Sequence, residues 1–347
     1  MYQRKNRFAV LVFLMVIVAG FLFFLDLLLG SVRISLHEVY NVIFNTGAAK
    51  EHFTAIIKDF RLPKAITAVS AGIALSISGL QMQTLFRNPL AGPYVLGISA
   101  GASLGVAILV LGFSSFLGIA GLRGLEGWSL VFAAWLGSGS ILFLILVISL
   151  RVRDIMTILI LGIMFGSAIS AIVSILQYFS EETMLKVFVV WTMGSLGTVS
   201  VSQLKIMVPA LAVGLLLAII TIKPLNAFLM GENYARSLGV SVRTSRFIIF
   251  ISTSMLAGTT TAFCGPIGFI GIAVPHVARL IFNTTDHRKL LPATALIGSI
   301  VLLLSDIISH LPGKDFILPI NSVTALIGIP VVIWIILKNR GIKGSWG

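Results

Sequence analysis

Asp26 and Asp306 are the two carboxylates that stand inside long apolar runs of this chain. A charge in hydrocarbon costs roughly 2.5–3.5 kcal/mol or more, so such a group marks an ion or proton site by default. Asp306 lies about one helical turn from the end of its run, and Asp26 near the end of the first. A proton- or sodium-coupled carrier needs its carboxylate nearer the midplane. The simpler reading of Asp306 is a carboxylate that reaches water or holds a neighbouring backbone group. Other chemistry is missing from the pattern. The chain has no G-x-x-x-x-G-K-[ST] run to cradle a nucleotide phosphate, and no H-E-x-x-H. No G-x-S-x-G stands on a strand–turn–helix pattern. The single cysteine, Cys264, excludes an internal disulfide. No metal-binding or nucleophilic residue set emerges.

The elements around these groups are set by composition. Of 347 residues 57% are apolar and 11% charged, against about 45–50% and ~25% in soluble chains. The mean hydropathy is +1.06. A chain of this size cannot hide so much apolar surface from water, so the expected class is an all-α integral membrane protein. Ten runs are long enough to span, at about 20 residues each: residues 8–29, 63–85, 94–113, 129–150, 154–178, 203–222, 243–264, 266–283, 290–310 and 319–337. The first lacks the short core and A-x-A site of a cleaved signal. The whole of 1–347 reads as one polytopic domain. Most of the 25 Lys and Arg residues fall on one side if the runs alternate with both termini in the cytoplasm. The net charge of +13 is then topogenic, and a nucleic-acid footprint is not expected.

Three connections exceed a turn. Residues 30–62 hold Ser35 as a cap before His37-Glu38-Val39-Tyr40. Residues 179–202 read as a short interfacial helix. Residues 223–242 contain a candidate helix at 226–239, with Asn226 as its cap, Gly239 at its end, and Leu229, Tyr234, Ala235 and Leu238 as its apolar face. That helix either lies on the membrane or enters a groove of a soluble partner. Gly92-Pro93 and Gly265-Pro266 open the third and eighth runs with similar sequences. Their starts fall on opposite sides, as an inverted repeat requires.

An ordered set of segments resembles the iron-chelate and cobalamin (FecCD-type) permeases of binding-protein-dependent ABC importers. It includes Arg61-Leu62-Pro63-Lys64, Ser78-Gly79-Leu80-Gln81-Met82-Gln83, Asn88-Pro89-Leu90-Ala91, Gly231 to Gly239, Gly265-Pro266-Ile267-Gly268, Pro275-His276, Thr285-Asp286-His287-Arg288 and Leu318-Pro319-Ile320. The set runs in order from about residue 33 to 338. The resemblance implies a ten-helix subunit in the bacterial cytoplasmic (inner) membrane, paired with a second permease copy around a central path. It implies two ABC ATPase subunits below and a periplasmic or lipid-anchored binding protein above. ATP and magnesium would sit on the ATPase, and this chain would bind no cofactor. The 226–239 helix resembles the coupling helix, with Gly231, Glu232, Ala235, Arg236, Leu238 and Gly239 toward the ATPase. Arg61 and Lys64 match a basic pair that docks the binding protein. A third basic docking position falls on His310, a departure that leaves Lys314 as the alternative. Asn88 and Leu90 match an inner gate, while Asp154-Ile155-Met156 departs from a second gate region. The implied cargo is a ferric siderophore, with cobalamin or haem as alternatives. An ion-coupled secondary carrier using Asp306 is the rival class.

Overall fold

The apolar runs are helical in the computed structural model, which describes residues 2–30, 32, 34–43, 51–112, 127–152, 154–310 and 317–339; no strand occurs among them. In chain order the helices are α1 (Tyr2–Leu28), α2 (Leu36–Ile43), α3 (Glu51–Ala55), α4 (Leu62–Leu85), α5 (Ile98–Ala107), α6 (Trp128–Arg151), α7 (Ile155–Tyr178) and α8 (Glu182–Thr192). They continue as α9 (Val201–Ile220), α10 (Ile222–Phe228), α11 (Glu232–Ser237), α12 (Val242–Cys264), α13 (Ile270–Phe282), α14 (His287–Ser309) and α15 (Ile320–Asn339).

Local chemistry sets many of the boundaries. Ser200 and Gln203 form a reciprocal capping box at the start of α9. Asp154 and Asp286 cap α7 and α14 with side-chain oxygens. Ser35 accepts from the Glu38 N–H at 3.3 Å before α2, as expected. A short helix does form within 179–202, as α8.

Seven helices among the described residues are long and apolar enough to cross a membrane. They correspond to the first, second, fourth to seventh and ninth runs, and the second extends back to Glu51 through a wide turn at Ile56–Arg61. The other three runs form shorter apolar helices, Ile98–Gly112, Ile270–Phe282 and Ile320–Trp334. The expected spans 94–113 and 266–283 therefore do not begin where the apolar sequence begins. Irregular backbone takes up the start of each, through Pro93–Leu96 and residues 265–269. A helix of 13 residues rises only about 20 Å. These two irregular segments meet: the Ile267 N–H donates to the Tyr94 hydroxyl at 3.3 Å.

The bundle centres on α4 and α12, which are the most buried long helices. Small residues bring neighbours into backbone contact with α4. A Cβ on Gly72 would lie 2.4 Å from the Gly298 carbonyl oxygen of α14, and one on Gly79 only 1.8 Å from the Gly271 carbonyl oxygen of α13. Any side chain at these crossings would force the helices apart, and close backbone approach is how lipid-embedded helices gain packing energy. The first helix lies at the periphery, with Phe13 and Phe21 exposed.

Candidate functional site

Functional geometry sits at both ends of the bundle. One end carries the start of α1, where Phe8 meets Phe282 of α13 at 5.3 Å between ring centroids. The same end carries the segment 222–239. The expected single helix 226–239 is instead two short helices, α10 and α11, separated at Leu229 to Gly231. The break falls there because Gly231 has φ +101, a conformation that suits glycine. Asn226 is not the cap. It lies inside α10, where its amide donates to Asp286 at 2.7 Å and its carbonyl accepts from the His287 N–H at 2.9 Å. The buried His287 ring continues this contact. Its Nδ1 is 2.8 Å from Asn226 Oδ1, and its Nε2 is 2.9 Å from the Thr84 hydroxyl of α4. The connecting segment is thus tied to the end of α4, just before the loop that holds Asn88 and Leu90.

The faces of α11 are unequal. Ala235 is fully buried beneath it. Met230, Tyr234 and Leu238 are exposed; Tyr234 and Leu238 stand one turn apart on one face, and Met230 lies in the break before α11. Sequence reasoning placed Tyr234 and Leu238 on the apolar face but left out Met230, and it counted Ala235, which is buried, and Leu229, which is half-buried, on the same face. Glu232 points back into the fold. Its carboxylate accepts from Arg246 Nε at 2.9 Å and also meets Arg246 Nη2, while Arg236 lies 3.7 Å away. Gly239, φ +80, ends the segment with open space around it.

The loop after α4 is pinned. The Asn88 side chain accepts from the Leu90 N–H at 2.9 Å, and the buried His276 ring lies 2.7 Å from the Pro89 carbonyl. Leu90 is half exposed. The Arg279 guanidinium donates to Gln83 at 2.6 Å. Deeper, the Gln81 amide bridges Thr221, Ser252 and Thr253, joining α4 to the end of α9 and to α12. Asp154 caps α7. Hydrogen bonds from the Thr157 hydroxyl and N–H and the Met156 N–H hold its exposed carboxyl below the ordinary range.

The opposite end holds the charges. Lys64 lies between the two carboxylates in the apolar runs, 3.3 Å from Asp26 and 2.6 Å from Asp306, and all three are buried. Arg61 is buried as well; it donates to the carbonyls of Leu27 at 2.7 Å, Leu28 at 2.9 Å and Val32. His310 turns back toward Asp306, with 3.5 Å between Nδ1 and the carboxylate. Lys314 lies outside the described residues. Both members of the expected docking pair therefore face inward. Asp306 neither reaches water nor merely holds backbone. It joins an ion pair linking α1, α4 and α14. One ammonium thus serves two buried carboxylates, so none of the three charges is left without a partner. Residues 26, 64 and 306 all lie within about one helical turn of an end of their runs, and that shared level was the available signal.

Comparison with known proteins bears on all of this. Residues 15–338 match the FecCD transport family. The vitamin B12 import system permease protein BtuC of Citrobacter koseri is 38% identical over 280 residues, 81% of this chain and 82% of that protein. An uncharacterized ABC transporter permease protein, YvrB of Bacillus subtilis, is 33% identical over 352 residues, covering 97% of this chain and 96% of its own length. A solved metal-chelate type ABC transporter in an inward-facing conformation superposes with a TM-score of 0.79 at 27% identity, across 94% of this chain and 99% of that one.

Proposed function

The chain belongs to the FecCD transport family, and from that premise we propose that it carries a bulky metal chelate through the bacterial cytoplasmic membrane into the cell. It is an integral membrane protein and the permease of an ABC importer, a transport subunit whose ATPase is a separate chain. The family match over residues 15–338 carries the reading. The proposed assembly is a permease homodimer with ten spans per copy and both termini in the cytoplasm, two ATPase subunits holding ATP and magnesium, and a binding protein on the outer face. This chain needs no cofactor of its own. Three short apolar helices beside seven long ones support the ten-span plan, and the similar Gly-Pro openings of the third and eighth runs are the basis for an inverted repeat.

The coupling element of this proposal is α10–α11. Its exposed residues Met230, Tyr234 and Leu238 enter a cleft of the ATPase, with Arg236 at the rim and Gly231 and Glu232 shaping the segment. Asn226, His287 and Thr84 pass its displacement to α4 and the gate loop at Asn88 and Leu90. On the outer face the binding protein docks over the end of α4, near Arg61, Lys64 and His310.

Ferric siderophore is the first cargo to test, on the family resemblance. Cobalamin is the second reading, favoured by the 38% identity to a vitamin B12 permease. The test is co-purification with candidate ATPases and binding proteins, then ATPase rate and uptake in proteoliposomes against ferric siderophores, haem and cobalamin. One loaded binding protein should stimulate hydrolysis and uptake together. Loss of ATPase co-purification in Leu238→Glu and Gly239→Glu is expected; an intact complex in both would refute the coupling assignment.

A further inference from the structure

A cavity of about 460 Å³ opens beside α11, between the end of α6 and the start of α12. That volume lies within the range of small-ligand sites, roughly 300–1,000 Å³. Three guanidiniums line it, those of Arg236, Arg243 and Arg246. Glu232 is the carboxylate that meets them, bonded to Arg246 and 3.7 Å from Arg236. The nearby Asp154 carboxylate is occupied by its own helix cap. The site thus keeps an excess of positive charge, centred on the exposed Arg243.

Its polarity is graded along one direction. Ser241 lies at the α12 end, and its side chain does not cap that helix; its hydroxyl is bonded to Thr244 instead. Leu150 and Phe247 line the cavity on the other side and are 51% and 41% exposed. From Leu150 an exposed stripe runs up α6 through Val147 and Phe143, at the three- and seven-residue spacing of one helix face. A basic pocket at the water boundary thus continues into an apolar track along a spanning helix. A soluble acidic peptide would match the first part alone. A phospholipid matches both.

We propose that this cavity is a site for an anionic phospholipid, its phosphate held by Arg243 and one acyl chain laid along Phe247, Leu150, Val147 and Phe143. Arginine suits the phosphate because its fork can donate two hydrogen bonds at once. Bound there, the lipid fastens α11 to α6 and α12. It makes the position of the connecting segment depend on membrane composition.

The test uses the purified importer in nanodiscs of mixed phosphatidylglycerol and phosphatidylcholine. Lipids retained by the permease are counted by native mass spectrometry. The wild type should retain phosphatidylglycerol in preference, and R243Q should lower that preference about fivefold, the weight of one arginine at an anionic surface. R288Q, which removes an exposed arginine at the same end of the bundle, should leave it unchanged. An equal loss in R288Q would reduce the effect to general surface charge and overturn the site. So would an unchanged lipid preference in R243Q. If R243Q instead keeps its lipids but loses the ATPase, the cavity receives a protein side chain and the proposal is wrong. Lipid retention is read whether or not transport occurs, so it stands or falls apart from the importer assignment.

Discussion

At the scale of the residue, the decisive group is Lys64. Removing one partner from a buried ion cluster leaves charge uncompensated, which costs about 3–5 kcal/mol. Lys64→Met should lower the thermal midpoint in detergent accordingly, because Asp26 and Asp306 would face one another without it. Adding Asp306→Asn removes one of those two charges, so the double variant should recover part of the loss. A double variant no better than the single one would show that Lys64 acts through packing alone. The ion cluster also weakens the case for a carrier working through Asp306, since a transported ion would have to displace a lysine 2.6 Å away. Sequence placed the two aspartates correctly within apolar runs but assigned Lys64 to the water phase. Its partners are distant in sequence, and only the packing of α1 and α14 on α4 brings them together.

At the scale of the element, two boundaries invite measurement. The first is the crossing of α4 and α13. Extra atoms in a packed interior cost about 1–3 kcal/mol, and here the obstacle is backbone, since a Cβ on Gly79 would lie 1.8 Å from a carbonyl oxygen. Gly79→Ala should therefore lower stability by at least that much, whereas alanine at Gly139, with no atom within 4 Å of its Cβ position, should be tolerated; similar midpoints for the two would contradict the close crossing. The second is the Asp286 cap of α14. Burial raises its pKa, but the Arg288 N–H, the Asn226 amide and nearby positive charge outweigh this and hold it below the ordinary value. A depressed carboxylate stabilises the fold above its unfolded pKa of about 3.9, and the benefit is lost as pH falls through the folded value. The midpoint difference between wild type and Asp286→Asn should be level from about pH 8 to about 5 and close below about 4. Asp286→Ala should cost about 1 kcal/mol more at neutral pH, for the lost cap. Hydropathy made all ten apolar runs legible as helices, because lipid leaves the backbone little alternative. It could not show that residues 93–96 and 265–269 are irregular. Those groups are satisfied by contacts between distant segments, such as Tyr94 with Ile267, that local pattern does not encode. The same holds for α10 and α11, where Gly231 divides what reads as one amphipathic stretch.

At the scale of the whole molecule, the question is what the chain can do alone. A machine driven by ATP needs a phosphate cradle, and this sequence has no such loop; a machine driven by an ion gradient needs an exchangeable charge along its path. The clustered buried acids are paired with Lys64 at one end of the bundle, and the deeper charge, Arg279, is bonded to Gln83. At the end that carries α11, Met230, Tyr234 and Leu238 stand exposed, apolar surface that a partner chain would cover. Free energy for transport must therefore enter by contact with another chain. Reconstituted by itself, the permease should show neither ATP hydrolysis nor uptake of a ferric chelate or cobalamin under an imposed proton or sodium gradient. Adding the ATPase should give basal hydrolysis, and adding the loaded binding protein should give uptake tied to that hydrolysis. Met230→Glu with Tyr234→Ala should lose both by more than tenfold, leaving the fold intact because neither side chain is buried. Gradient-driven uptake by the chain alone, abolished in Asp306→Asn, would instead place the driving force inside the bundle and make the ion cluster at Lys64 its working part.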